Sequence, residues 1–149
     1  YEETFDIIFT SPPYFNVERY SHDDTQSWIR YKDIDGWNTR FLQKALDNML
    51  PTLRSGGKLC INISDVYANS KWSSDRCWLK ICDPMNEFLD EYRDMEYIGC
   101  IGMEMAKRPN SGGAGTAKDT TQYSEESLKL AEETKDKRFC EPIWIWEKK

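Results

Sequence analysis

The run Phe5-Asp6-Ile7-Ile8-Phe9-Thr10 followed by Ser11-Pro12-Pro13-Tyr14-Phe15 constrains this chain more than any other segment. Phe5, Ile7, Ile8 and Phe9 form a short, nearly unbroken apolar stretch with β-branched and aromatic members, which predicts a central parallel strand covered on both faces. Asp6 is the exception and is expected near a strand end. Pro12 turns Ser11 away from helical conformation and Pro13 does the same to Pro12, so the strand cannot run straight into a helix. A turn of this kind keeps few amide donors. It exposes the carbonyls of Ser11 and Pro12 and the Ser11 hydroxyl as acceptors for a ligand that brings N–H groups, while Tyr14 and Phe15 offer flat surfaces beside them. A planar base with an exocyclic amine matches both halves, its ring stacking while its amine points at the oxygens. The bland alternative is a stiff surface turn.

At 149 residues the chain suits one domain, and six Trp, eight Tyr and six Phe supply aromatic area for a core. The net charge of -6, from 26 acidic and 20 basic residues, argues against a protein that grips nucleic acid chiefly by neutralising phosphates. A nucleic-acid substrate then requires basic residues clustered on one face, or a separate segment that makes the backbone contacts. Cys60, Cys77, Cys82, Cys100 and Cys140 lack CxxC spacing, and His22 lies outside any ligand pattern, so no metal site is expected. Scattered thiols in odd number predict a reducing, intracellular setting, cytoplasm or nucleoid. No apolar stretch approaches membrane-spanning length and no leading targeting signal is recognisable. A start without Met, shortly before the first strand, reads as a fragment boundary.

Residues 16–36 are polar and aromatic, and are expected to form a long loop with at most one short helical turn. Tyr20, Trp28 and Tyr31 either line a base or backbone path or hold that loop to the body. Trp37, Phe41, Ala45, Leu46, Met49 and Leu50 recur at helical spacing, predicting an amphipathic helix over residues 37–53 that ends at Ser55-Gly56-Gly57. A second strand is expected over residues 58–63, a helix over 76–92, and further strands over 95–105 and 139–146, the last covered on both faces. Two strands separated by a helix make a βαβ unit, whose ligands sit beyond the carboxyl ends of the strands. That puts Thr10 to Tyr14 and Ser64 to Tyr67 on one edge, where Asp65 either orients a substrate group or is a solvated loop carboxylate. Residues 107–118 are glycine-rich and basic without the offsets of a dinucleotide-binding turn. They read as a flexible hairpin loop, or as a DNA-contacting loop in which Lys107, Arg108 and Lys118 reach phosphates. Residues 124–137 read as a short exposed helix or as disordered.

Thr10-Ser11-Pro12-Pro13-Tyr14 resembles the catalytic motif of the amino-directed class I DNA methyltransferases, in which Asp, Asn or Ser precedes Pro-Pro-Tyr or Pro-Pro-Phe. The Ser form is most often associated with N4-cytosine methylation, and some N6-adenine enzymes carry it too. In that family a seven-stranded sheet alternates with helices, the motif follows the fourth strand and the last two strands are antiparallel. Leu53-Arg54-Ser55-Gly56-Gly57-Lys58-Leu59 resembles its glycine turn before strand five, and Glu141-Pro142-Ile143-Trp144-Ile145-Trp146-Glu147-Lys148 its closing strand. The fold implied is α/β: a partial, Rossmann-like class I methyltransferase sheet of four strands with flanking helices, the last pair antiparallel.

The resemblance implies methyl transfer from S-adenosyl-L-methionine to the exocyclic amine of a base flipped from double-stranded DNA, in the manner of restriction-modification enzymes. N4 of cytosine is favoured over N6 of adenine. It implies Ser11, Pro12, Pro13 and Tyr14 as catalytic, Thr10, Ser11 and Tyr14 as bordering the cofactor, and Phe15, Tyr20, Asp65, Lys107 and Arg108 as facing substrate. The family's first three strands, its Phe-x-Gly-x-Gly turn and its ribose-holding acidic residue have no counterpart. Residues 1–149 are therefore expected to be the catalytic portion, with residues 107–138 as a flexible insert, completed by a cofactor-binding half or a homodimer mate. An RNA or protein-amine methyltransferase, a non-catalytic nucleic-acid-binding module and a subunit of a split methyltransferase remain as alternatives.

Overall fold

The computed structural model describes residues 4–18, 20–68, 77–92, 94–104 and 140–149. The apolar run forms β1 (Phe5–Thr10), and a helical stretch returns the chain to β2 (Leu53–Asn62), which pairs with β1 in parallel. Between them lie α1 (Ser27–Arg30), α2 (Ile34–Trp37), a π-helical segment (Asn38–Leu42), α3 (Gln43–Met49) and a 3-10 turn (Leu50–Thr52). The helical stretch begins before the expected residue 37 because the Asp33 carboxylate accepts the Gly36 N–H at 2.6 Å, capping the first turn.

Strand β2 also begins earlier than expected, at Leu53 opposite Phe5, and the register then shifts so that Ile7 faces Lys58. The extra residues are absorbed at the two glycines. Gly56 has φ 76°, and a Cβ on Gly57 would lie 2.8 Å from the Arg54 carbonyl oxygen. The glycines thus form an irregularity inside β2, and the helical stretch ends at Thr52 and not at Ser55-Gly56-Gly57 as expected.

The expected helix over residues 76–92 is shorter, α4 (Cys82–Glu91), and a two-stranded antiparallel ribbon unforeseen in the sequence precedes it, β3 (Val66–Ala68) with β4 (Cys77–Leu79). Pro84 is tolerated because it falls in the first turn of α4, where its missing N–H costs no helical bond. β5 (Met95–Glu104) and β6 (Cys140–Lys148) complete the main sheet in the order β1-β2-β6-β5, with β6 antiparallel to both neighbours. The four expected strands and the antiparallel last pair are present, in a mixed sheet. Residues 107–138, expected as a flexible insert, lie outside the described residues.

The helices cover one face of this sheet. Leu42, Leu46, Ile81, Met85 and Leu89 pack with Leu59, Ile61, Ile63 and Trp146 in one buried cluster. The opposite face is a correction to the sequence expectation. Phe5, Ile7 and Phe9 are 50%, 62% and 60% exposed, so β1 is not covered on both faces. Among the described residues β1 is also the edge of the sheet. In β6, Ile143 and Trp146 are buried, while Trp144 and Ile145 are half-buried. Among the described residues no helix is long and apolar enough to cross a membrane.

Candidate functional site

The proline turn leaves the sheet at the carboxyl end of β1, where Thr10 lies opposite Ile61 of the neighbouring parallel strand. Ser11 is exposed, Pro12, Pro13 and Tyr14 are half-buried, and Phe15 is only 5% exposed. The chain turns inward at Phe15, which adopts φ 48°, a left-handed conformation uncommon for a bulky side chain. Its N–H meets the Pro13 carbonyl at 3.0 Å, and its ring packs edge-on against Trp37 with centroids 6.0 Å apart. Phe15 therefore anchors the loop in the core and does not offer a flat surface to substrate, contrary to the sequence expectation. Among the described residues no group donates to the Pro12 carbonyl.

Tyr14 is held at both ends. Its amide donates to the Glu18 carboxylate at 3.2 Å, and its hydroxyl donates to Glu141 Oε2 at 3.1 Å. Burial, reinforced by the Glu141 carboxylate, pushes the phenol well above its ordinary value, so the hydroxyl stays protonated and donating. Tyr20 is exposed, and the nearby Glu18 carboxylate raises its phenol as well.

Asn62, at the carboxyl end of β2, is buried and bridges two elements. Its Nδ2 donates to the Pro142 carbonyl at 3.1 Å, and its Oδ1 lies 3.5 Å from Ser11 Oγ. Neither Asn62 nor Glu141 stood out in the sequence as a site residue. A polar side chain inside the otherwise apolar run Leu59 to Ile63 was the available signal for the first, because a buried amide demands partners. For Glu141 only its place beside Pro142 at the head of an apolar strand was available.

Asp65 also departs from expectation. Its side chain is fully buried; Oδ1 accepts the N–H groups of Ile81 and Cys82 at 2.8 and 2.9 Å, and Lys80 Nζ lies 3.2 Å from Oδ2. It is the N-terminal anchor of α4, neither a substrate-orienting group nor a solvated carboxylate. Lys107 and Arg108 lie outside the described residues.

The Ser11 hydroxyl and Pro12 carbonyl are acceptors, suited to partially positive groups.

A family model described as DNA methylase, covering N6 and N4 methyltransferases, matches residues 5–149. Two solved structures of a candidate DNA modification methylase from Thermus thermophilus share the fold. The selenomethionine form is 16% identical with a TM-score of 0.57, and the complex with S-adenosyl-L-methionine is 17% identical with a TM-score of 0.59. Each comparison covers 99% of this chain and 46% of the other, so the chain spans less than half the length of the protein it matches. No curated protein sequence matches it at a significant level.

Proposed function

The chain belongs to the N6/N4 DNA methylase family, and from that premise we propose that it is the catalytic portion of an enzyme methylating the exocyclic amine of a DNA base. Ser11 favours N4 of cytosine over N6 of adenine. One juxtaposition carries this reading: the acceptor carbonyl of Pro12 and an exposed Ser11 stand beside an aromatic ring, Tyr14, whose hydroxyl and amide are both tethered.

The flipped base rests against Tyr14, and its amine donates to the Ser11 oxygen and the Pro12 carbonyl. Those bonds turn the nitrogen lone pair away from the ring system and toward the methyl donor, so that positioning supplies much of the rate. S-Adenosyl-L-methionine, when bound, supplies the electrophilic methyl group. Thr10 holds the loop at the strand end.

A cofactor-binding half, in the same polypeptide or a partner, completes the site. The exposed Phe5, Ile7 and Phe9 of β1 support its docking there, since an apolar row of this kind marks an interface. The net charge of -6 argues against a phosphate grip by the chain as a whole, so DNA affinity draws on clustered basic residues, Lys107 and Arg108 among them, or on the completing half.

The deciding experiment is Tyr14→Ala in the methylase that contains this chain. Turnover on DNA is expected to fall about 100-fold or more with S-adenosyl-L-methionine affinity retained by calorimetry. An equal loss of cofactor affinity would overturn the assignment of Tyr14 to the base. Nucleoside analysis of the product then separates N4-methylcytosine from N6-methyladenine.

A further inference from the structure

We infer that Glu141, at the head of β6, is a positioning residue that sets the ring of Tyr14 in place before a base arrives. The inference rests on reading Tyr14 as the surface the base stacks on. Tyr14 and Glu141 lie 127 residues apart and meet through a 3.1 Å hydrogen bond, while the Tyr14 amide is held by Glu18 at 3.2 Å. The ring is thus fixed at its main-chain end and at its hydroxyl. A tyrosine anchored only through its backbone samples alternative rotamers, and each must be abandoned when a base stacks; the bond to a carboxylate removes that freedom in advance.

Glu141 is itself placed by its neighbour. Pro142 is buried and its carbonyl accepts from Asn62 Nδ2 at 3.1 Å, which locks the head of β6 to the carboxyl end of β2. Asn62 also lies opposite Ile143 in the β2–β6 ladder, and its Oδ1 faces Ser11 Oγ. β6 therefore reaches both ends of the proline turn, Tyr14 directly through Glu141 and Ser11 by way of Pro142 and Asn62 of β2. Burial and the Glu141 charge together keep the phenol protonated, so the bond persists through the neutral range.

The test compares Glu141→Ala, Glu141→Gln, Tyr14→Phe and the Tyr14→Phe/Glu141→Ala double variant in the methylase that contains this chain. Single-turnover rate, cofactor Kd and thermal midpoint are measured for each. Tyr14→Phe keeps the ring and loses only the hydroxyl. It and Glu141→Ala are each expected to slow methyl transfer about 10-fold, and the double variant no more than either single one. Cofactor Kd stays unchanged, and Glu141→Gln, which retains an acceptor, recovers most of the rate. Wild-type rates in Tyr14→Phe and Glu141→Ala would overturn the inference, as would losses that multiply in the double variant. A lowered midpoint in Glu141→Ala alongside a wild-type rate in Tyr14→Phe would also overturn it, by showing a purely structural role. Tyr14→Ala separates the two levels: if it is inactive while both single variants are fully active, only the role of Glu141 falls. If Tyr14→Ala is itself active, the stacking role falls as well.

Discussion

The two faces of the main sheet are built from the same kinds of side chain and meet opposite fates. Along one row Ile8, Leu59 and Trp146 lie side by side across β1, β2 and β6 and point into the helices. Along the next row Phe9, Cys60 and Ile145 lie side by side and point away from them. Strand alternation alone makes this division. The inward row sits in a core whose members Leu42, Leu46, Met85 and Leu89 are 0% exposed, whereas on the strands Ile7, Phe9 and Ile101 are 54% or more exposed. An apolar pattern thus says that a face is destined for cover, and says nothing about which segment supplies it. Here α2 to α4 cover one face, and the other is where we propose that the cofactor-binding half docks.

The widest separation should come from paired truncations of the two faces. Leu46→Ala opens a cavity under the helices and is expected to cost about 3–4 kcal/mol in urea unfolding of this chain. Phe9→Ser removes a ring already in water and should change stability by less than about 0.5 kcal/mol, while weakening association with the completing half. Comparable losses at both positions would erase the distinction between the faces.

Carboxylates offer a second contrast. Asp65 is buried against two amides and Lys80, whereas the ion pair of Asp6 with Arg54 has both side chains mostly exposed. Asp65→Ala strands two N–H groups at the start of α4, at an expected cost of about 2–3 kcal/mol. Asp6→Asn should cost less than about 0.5 kcal/mol. Chemical denaturation of the two variants checks the ranking; a near-neutral Asp65→Ala would mean that α4 is held by its apolar contacts alone.

Local pattern sufficed where a feature is made locally. The run from Phe5 to Thr10, the proline turn, the helical spacing from Trp37 to Leu50 and the apolar stretches of β5 and β6 all lie within single segments, and each forms the expected element. The ribbon of β3 and β4 escaped because strands of three residues are too short to show a period. Asp65 was misjudged because the amides it anchors lie 16 and 17 residues away. Phe15 was misjudged because an aromatic beside a motif looks alike whether it faces substrate or core. Glu141 became visible only when the fold brought it across 127 residues to Tyr14. For β1 the expectation of cover on both faces failed, because an apolar run does not say which segments lie over it.

A smaller effect should appear in alkali. The folded state holds the Tyr14 phenol above its ordinary value through burial first and Glu141 second, so folding favours the protonated form. That contribution is complete below the unfolded tyrosine pKa of about 10 and is lost as pH rises beyond it, steepening the decline by about 1.4 kcal/mol per pH unit for one proton. Tyr14→Phe should flatten the decline measured by urea unfolding between pH 9 and about 11. Some slope should persist, because burial raises Tyr97 as well, with Cys100 adding to it. An unchanged slope in Tyr14→Phe would mean that the phenol is solvated in solution.

The subtlest test uses the thiols as reporters of the two faces. Cys82 is buried at the start of α4, and Cys60 lies on the uncovered face between Phe9 and Ile145. Partial burial pushes the Cys60 thiol above its ordinary value and Lys58 opposes this, so its thiolate fraction near pH 8 is below that of a free cysteine. Iodoacetamide should therefore label Cys60 slowly but well ahead of Cys82, as read by peptide mass mapping. If the completing half seats on the face carrying Ile7 and Phe9, it also covers Cys60, and labelling there should fall when the half is present while the Cys82 rate stays low. Cys60 labelling that ignores the completing half would move the docking surface off this face. Protection of Cys60 in this chain alone, lost with Phe9→Ser, would instead identify a second copy of the chain as what covers the apolar row.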